Sequence, residues 1–263
     1  MKIKQAMITG ASSGIGQACA KLLAIKKIDL ILTARNEQAL LSLKELLSKK
    51  VSVKICVVDL VEEKQRETLI NLMIKESPDL LINSAGIGKY GDILCYPIDK
   101  QMSIIDTNIV ASTALTISMA RQLISKKKKG IILNISSAGG FQVYPGFSIY
   151  CASKAYMNNF SQAFDHEISP LGVRVLCACP GMVKTNFGNR ASSGMLSRSS
   201  LSNQMSAEEA AKNIWFQIKN QRVLRVFNWK YRLCFLLRVF LPKIWLQKRL
   251  KAIIDRRSPY TKI

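Results

Sequence analysis

The chain has a single histidine, His166, in 263 residues. No serine or cysteine stands at a spacing that would pair with it for nucleophilic catalysis, so it reads as a surface or satisfied helix residue. Seven cysteines are present, yet none form a Cys-x-x-Cys motif, and the nearest two, Cys177 and Cys179, are only two apart. One histidine and no ligand spacing argue against a zinc site. An odd number of cysteines without a framework pattern implies free thiols in a reducing, cytoplasmic compartment. No run of about eighteen apolar residues occurs, so no ordinary membrane span is read. The N-terminus enters a strand-like run at Ile3 without an apolar leader, so no secretory signal is read either.

Acidic residues are also scarce. Lys and Arg number 39 against 17 Asp and Glu, a formal charge of +22. From Lys219 onward, thirteen Lys or Arg face one acid, Asp255, and a second basic cluster runs from Lys126 to Lys129. Such a field attracts anionic surfaces or ligands. No nucleic-acid motif accompanies it, so nucleic acid is not an expected partner.

What remains is a chain that is 48% hydrophobic and long enough for one large domain. Short apolar runs alternate with helical patterns. Strands are expected at Ile3–Thr9, Ile28–Thr33, Val51–Val58, Asp79–Asn83, Gly130–Ile135 and Val173–Ala178. Helices are expected at Ile15–Ala24, Glu37–Lys49, Glu62–Lys75, Ile109–Ser125 and Ile149–Ile168. Alternation of this kind gives an α/β fold, a doubly wound parallel sheet of six to seven strands with helices on both faces. Its ligands bind outside the carboxyl ends of the strands. Residues 184–205 have the composition of a substrate lid, and Ser206-Ala-Glu-Glu209 reads as a capping box. Residues 1–221 are expected to form the domain and 222–263 a basic, hydrophobic helical extension.

Two groups of residues carry chemistry. Thr9-Gly10-Ala11-Ser12-Ser13-Gly14-Ile15-Gly16 follows the first strand and opens a helix. Glycines there let backbone approach a pyrophosphate held at the positive end of the helix. Tyr150 and Lys154 lie four apart, on one helical face. An ammonium beside a phenol favours phenolate and is expected to lower the tyrosine pKa. Such a phenol exchanges protons with an alcohol or ketone oxygen.

Thr9 to Gly16, Asn83-Ser84-Ala85-Gly86, Asn108, Ser137, Tyr150-x-x-x-Lys154 and Pro180-Gly181 stand in an order and spacing that resembles the short-chain dehydrogenase/reductase family, over roughly residues 3 to 187. The resemblance implies a Rossmann-type sheet with a seventh strand, for which Arg222–Phe227 is the candidate. It implies catalysis by Tyr150 as proton donor or base, Lys154 also holding the nicotinamide ribose, Ser137 holding the substrate oxygen and Asn108 holding a water that links Lys154 to solvent. It places a nicotinamide dinucleotide against Thr9, Gly10, Ser12, Ser13, Gly14, Ile15, Gly16, Asn83, Ala85, Gly86, Pro180, Gly181, Val183 and Thr185. Asp59 resembles the aspartate that meets the adenine amine. At the end of the second strand stand Ala34 and Arg35, where NAD-preferring members carry an acid. A guanidinium there suits a 2′-phosphate, so NADP(H) is favoured over NAD(H). The implied reaction is reversible carbonyl reduction of a hydrophobic ketone. An oxoacyl-thioester reductase and a non-catalytic NADP(H)-binding regulator are the alternatives. The long helices at 109–125 and 149–168 resemble those that build family dimers.

From Arg222 to Ile263 the chain is basic and apolar, unlike the short glycine-containing end of many family members. The stretch 233–241 is apolar except for Arg238, and Leu246, Leu250 and Ile253 share one helical face. Trp215, Trp229 and Trp245 all lie in the C-terminal part. Basic residues with interfacial aromatics suit a peripheral seat on an anionic membrane surface, the alternatives being a cover over the substrate pocket or a subunit interface.

Overall fold

The computed structural model describes residues 1–192, 204–229 and 231–233. Seven parallel strands form its main sheet in the order β3-β2-β1-β4-β5-β6-β9. In chain order the elements are β1 (Gln5–Thr9), α1 (Gly14–Ile25), β2 (Asp29–Ala34), α2 (Glu37–Ser48), β3 (Val53–Val57), α3 (Glu63–Glu76) and β4 (Leu80–Asn83). There follow α4 (Ile98–Ile105), α5 (Ser112–Ser125), β5 (Gly130–Ile135), α6 (Ser148–Ile168) and β6 (Val173–Cys179). The chain closes with β7 (Val183–Lys184), α7 (Phe187–Ala191), β8 (Met205–Ser206), α8 (Ala207–Asn220) and β9 (Leu224–Val226).

The central strands are apolar on both faces because both faces are covered. Every residue of β4 and β5 is buried. On one side Cys19 and Leu23 of α1, Leu40 and Leu43 of α2, and Ile214 and Ile218 of α8 pack against the sheet. On the other, Leu69 and Met73 of α3 and Leu115, Met119 and Leu123 of α5 form the second layer. The order reverses between β1 and β4, so the switch-point crevice opens at Thr9 and Asn83, which pair with each other across those strands. Asn36 caps α2 by accepting from the Ala39 N–H at 2.9 Å. Ser206 caps α8 through the Glu209 N–H at 3.0 Å, one half of the expected box.

One expectation changes, the seventh strand is found within its candidate Arg222–Phe227, and the segment read as lid gains detail. The helix expected to begin at Ile109 begins at Ile98, since α4 runs through a π-helical turn (Asp106–Ala111) into α5. By length and composition this 98–125 helix could cross a membrane, but it is packed into the domain. The seventh strand, β9, pairs with β6 through Cys177–Leu224 and Cys179–Val226, so the sheet extends past the boundary expected at 221. The segment read as lid contains α7 and is bracketed by β7 and β8, which pair with each other. Residues 193–203 of that segment lie outside the described residues. So do the stretch after Leu233, Trp245 and the face bearing Leu246, Leu250 and Ile253. Trp215 packs on the α1–α8 layer, and Trp229 is exposed.

Candidate active site

The expected residues gather at the carboxyl ends of the strands. Thr9 closes β1, and its hydroxyl accepts from the backbone N–H groups of Ser84 and Ala85, both at 3.0 Å. This ties the glycine turn to the turn after β4. Gly10 and Gly14 have φ of 64° and 55°, which strains any other residue. At Gly16 a Cβ would stand 2.4 Å from the Gly10 carbonyl oxygen, so that position excludes a side chain. Ile15 turns its side chain onto the core, and Ser12 is half-buried at the turn. Ser13 is the N-cap of α1, yet its hydroxyl makes no capping bond, and no acid lies in the first turn. The first N–H groups of α1 therefore keep their capacity for an anion. These residues fit the pyrophosphate of a dinucleotide.

Arg35 follows β2 and reaches Asp59, after β3, at 3.5 Å. Asp59 also accepts from the Val61 N–H at 3.1 Å. The Arg35 side chain is 63% exposed, so this ion pair holds it loosely.

Asn83 and Asn108 are occupied inside the protein. The Asn83 amide donates to Asn134 at 2.8 Å and to Thr116 at 3.1 Å, forming a buried ladder between the sheet and α5. Its side chain thus braces β4 against β5, and the turn Ser84–Gly86 is what lies beside the cleft. Asn108 sits in the π-helical turn. It donates to the Ile87 carbonyl at 2.9 Å and Ser153 Oγ at 3.0 Å, and accepts from the Ile87 N–H at 3.0 Å. Single π turns recur at functional sites. Here the turn clamps the segment that follows Gly86 at Ile87. A Cβ on Gly86 would lie 3.4 Å from both Asn108 Oδ1 and Lys154 Nζ, so these two side chains converge on one point.

Ser137, Tyr150 and Cys151 converge on another. A Cβ on Gly139 would lie 3.4 Å from Ser137 Oγ, 3.3 Å from Cys151 Sγ and 3.9 Å from the Tyr150 ring. Ser137 Oγ accepts from the Gly139 N–H at 3.0 Å, which fixes the serine rotamer. The segment carrying Ser137 presses onto α6 so closely that a Cβ at Gly140 would be 2.7 Å from Asn158 Nδ2. Lys154 Nζ donates to the Ile135 carbonyl at 2.9 Å and stands 5.7 Å from the Tyr150 ring centre.

The expected acidification of the phenol is not seen in this structure. Burial pushes Tyr150 up to about 12, against a smaller pull downward from the Ser137 hydroxyl. The same burial draws Lys154 down to about 8, opposed by the neighbouring thiols of Cys177 and Cys179. Desolvation disfavours both charged forms and is the largest influence on each.

Three further residues surround the site without having carried a motif. Phe147 stacks on Tyr150 with ring centres 4.3 Å apart and 22° between planes. Phe187 of α7 also packs on Tyr150, with ring centres 5.3 Å apart and 46° between planes. Arg190 of α7 donates to Ser13 Oγ at 3.4 Å. The only sequence signal for Phe147 was its position three before Tyr150, one helical turn away. The α7 segment lies against the glycine turn a second time, where the Thr185 methyl would stand 3.1 Å from a Cβ on Gly14. Pro180 accepts from the Ala138 N–H at 2.8 Å, and Gly181 is covered by the Tyr231 ring, which leaves no room for a Cβ. Val183 begins β7.

Comparison with known proteins gives a consistent assignment. The family described as short chain dehydrogenase matches residues 4–195. An uncharacterized oxidoreductase of Staphylococcus aureus (strain MW2) is 35% identical over 184 residues, covering 69% of this chain and 79% of that protein. Among solved structures, a short-chain dehydrogenase from Sphingobium yanoikuyae in complex with NADPH superimposes with a TM-score of 0.82 at 24% identity. It covers 99% of this chain and 98% of its own. A 4-hydroxyisoleucine dehydrogenase complexed with NADH reaches 0.74 at 29% identity, over 86% of this chain and 97% of its own. The first of these likenesses speaks for the fold alone. The seven parallel strands agree with the family match, and this chain is an oxidoreductase of the short-chain dehydrogenase family.

Proposed function

We propose that the protein is an NADP(H)-preferring carbonyl reductase, reversible as an alcohol dehydrogenase, acting on ketones with apolar substituents. The observation that carries this reading is the convergence of Ser137 and Tyr150 on Gly139, with Lys154 one turn further along α6. A carbonyl oxygen between Ser137 and Tyr150 would meet two hydroxyl groups, the first of them held by the Gly139 N–H.

The dinucleotide, when bound, supplies or accepts the hydride. Tyr150 gives its phenolic proton to the substrate oxygen in reduction and takes one back in oxidation. With its pKa raised, the phenol is fully protonated at neutral pH, which suits the reductive direction. Ser137 orients the oxygen. Lys154, anchored on Ile135, keeps a cationic donor at the floor of the site near Gly86. The Phe147 and Phe187 rings exclude water from the phenol and favour apolar groups beside the carbonyl.

Preference for NADP(H) is supported by Arg35, exposed after β2 where no acid stands. The exposed Val110 and Tyr156 support a dimer built through the 98–125 helix and α6.

The test is an absorbance assay of a ketone and aldehyde panel with NADPH and with NADH, on the wild type and on Tyr150→Phe. Turnover of an apolar ketone with NADPH is expected. Tyr150→Phe is expected to lose roughly two to four orders of magnitude in kcat while still binding cofactor. Undiminished turnover in Tyr150→Phe would overturn the assignment.

A further inference from the structure

Arg190 has no place in the glycine motif or the Tyr-Lys pair, yet it reaches the cofactor cradle. Its guanidinium donates to Ser13 Oγ at the N-terminus of α1. That helix end carries partial positive charge and has no acid in its first turn. Among the described residues Arg190 forms no ion pair. Two positive groups therefore face each other with one neutral hydroxyl between them. Such an arrangement is unfavourable until an anion enters, and favourable once it does.

Resting on the dinucleotide reading above, we propose that Arg190 is a ligand of the cofactor pyrophosphate, reaching it from the substrate side of the cleft. The glycine turn then holds the phosphates from below through backbone N–H groups, and Arg190 holds them from above through a side chain. The same short helix carries Phe187, three residues earlier, against the catalytic Tyr150. Its far end is fixed by the Ala191 carbonyl, which accepts from the Tyr90 N–H at 2.8 Å. One rigid turn thus touches phosphate and phenol together.

The experiment measures Kd by calorimetry for NADPH and for ADP-ribose, on the full chain and on Arg190→Gln and Arg190→Lys. ADP-ribose keeps the pyrophosphate and lacks nicotinamide, so it separates phosphate contact from any contact with substrate or ring. Losing a charge-assisted bond at an exposed site is expected to weaken both ligands roughly tenfold in Arg190→Gln, with partial recovery in Arg190→Lys. Melting temperature without ligand is expected to stay within a degree or so of wild type, because one exposed bond is lost. If both ligands bind Arg190→Gln as tightly as wild type, or if only the KM for the ketone changes, the proposal is overturned. If wild type binds neither ligand, the dinucleotide reading itself falls, a pattern distinct from the first.

Discussion

Lys154 stands one helical turn beyond Tyr150, yet its ammonium is directed to the Ile135 carbonyl at 2.9 Å and remains 5.7 Å from the phenol ring centre. The pair is thus a shared face of α6 rather than a contact ion pair. What each group does with its proton is governed first by burial.

Burial sets the titration of the phenol. Tyr150 is raised to about 12, above the ordinary 10. The ultraviolet difference between wild type and Tyr150→Phe in the ligand-free protein should therefore show no phenolate through neutral and mildly alkaline pH. An ionisation near pH 7 in that difference would show that the ammonium outweighs desolvation.

Lys154 makes a stability prediction of definite sign. Its folded pKa is lowered from 10.5 to about 8. Between those values the unfolded chain holds a proton that the folded chain has released, so stability rises with pH across the window. Below pH 8 the buried ammonium is a cost. Lys154→Met should stabilise the protein at pH 7 by on the order of 2 kcal/mol while removing activity. Denaturant midpoints of the two proteins should draw together as pH approaches 10.5. A Lys154→Met protein less stable than wild type at pH 7 would refute this.

Arg35→Asp should shift the ratio of kcat/KM for the two cofactors toward NAD(H), because a carboxylate repels a 2′-phosphate and accepts from ribose hydroxyls. It also sets two carboxylates together, since Asp59 is the present partner of Arg35. An unchanged ratio would remove Arg35 from the cofactor site.

Asp165 holds the bottom of α6 to β6. It accepts from Arg174 Nε at 2.9 Å, from Arg174 Nη2 at 3.0 Å and from the Val175 N–H at 2.8 Å, with its side chain 3% exposed. Asp165→Ala should cost on the order of 3 kcal/mol, since it orphans the Val175 N–H and leaves the Arg174 guanidinium with Gln221 as its remaining partner. Urea unfolding measures it, and a loss under 1 kcal/mol would mean that water replaces the carboxylate.

Local pattern was enough for much of this architecture. β5 lies where its apolar run placed it, and α2 starts at the expected Glu37 behind the Asn36 cap. The α4 helix was not legible. Ile98 and Met102 lie on its outside, so its apolar residues do not mark a core-facing stripe, and Pro97 and Gly91 just before it read as loop. The π turn at 106–111 has no sequence period of its own. At the site, motifs identified Tyr150, Lys154 and Ser137. They could not show that Asn83 and Asn108 spend their amides on internal partners, nor that desolvation dominates the phenol, because both depend on neighbours distant in sequence. Phe187 and Arg190 lie in a polar stretch with no periodicity, and only the folded chain brings them to Tyr150 and Ser13.

The position of β9 bears on how the protein is made. β6 carries the Pro180–Gly181 turn and has β5 on one flank, and among the described residues its other flank is filled by residues 224–226. A chain halted short of Leu224 would present β6 as an open, apolar edge, with Cys177 and Cys179 uncovered. Such an edge pairs readily with other chains. Premature termination between α8 and β9 would thus yield an aggregating polypeptide even though every motif of the site had already been synthesised.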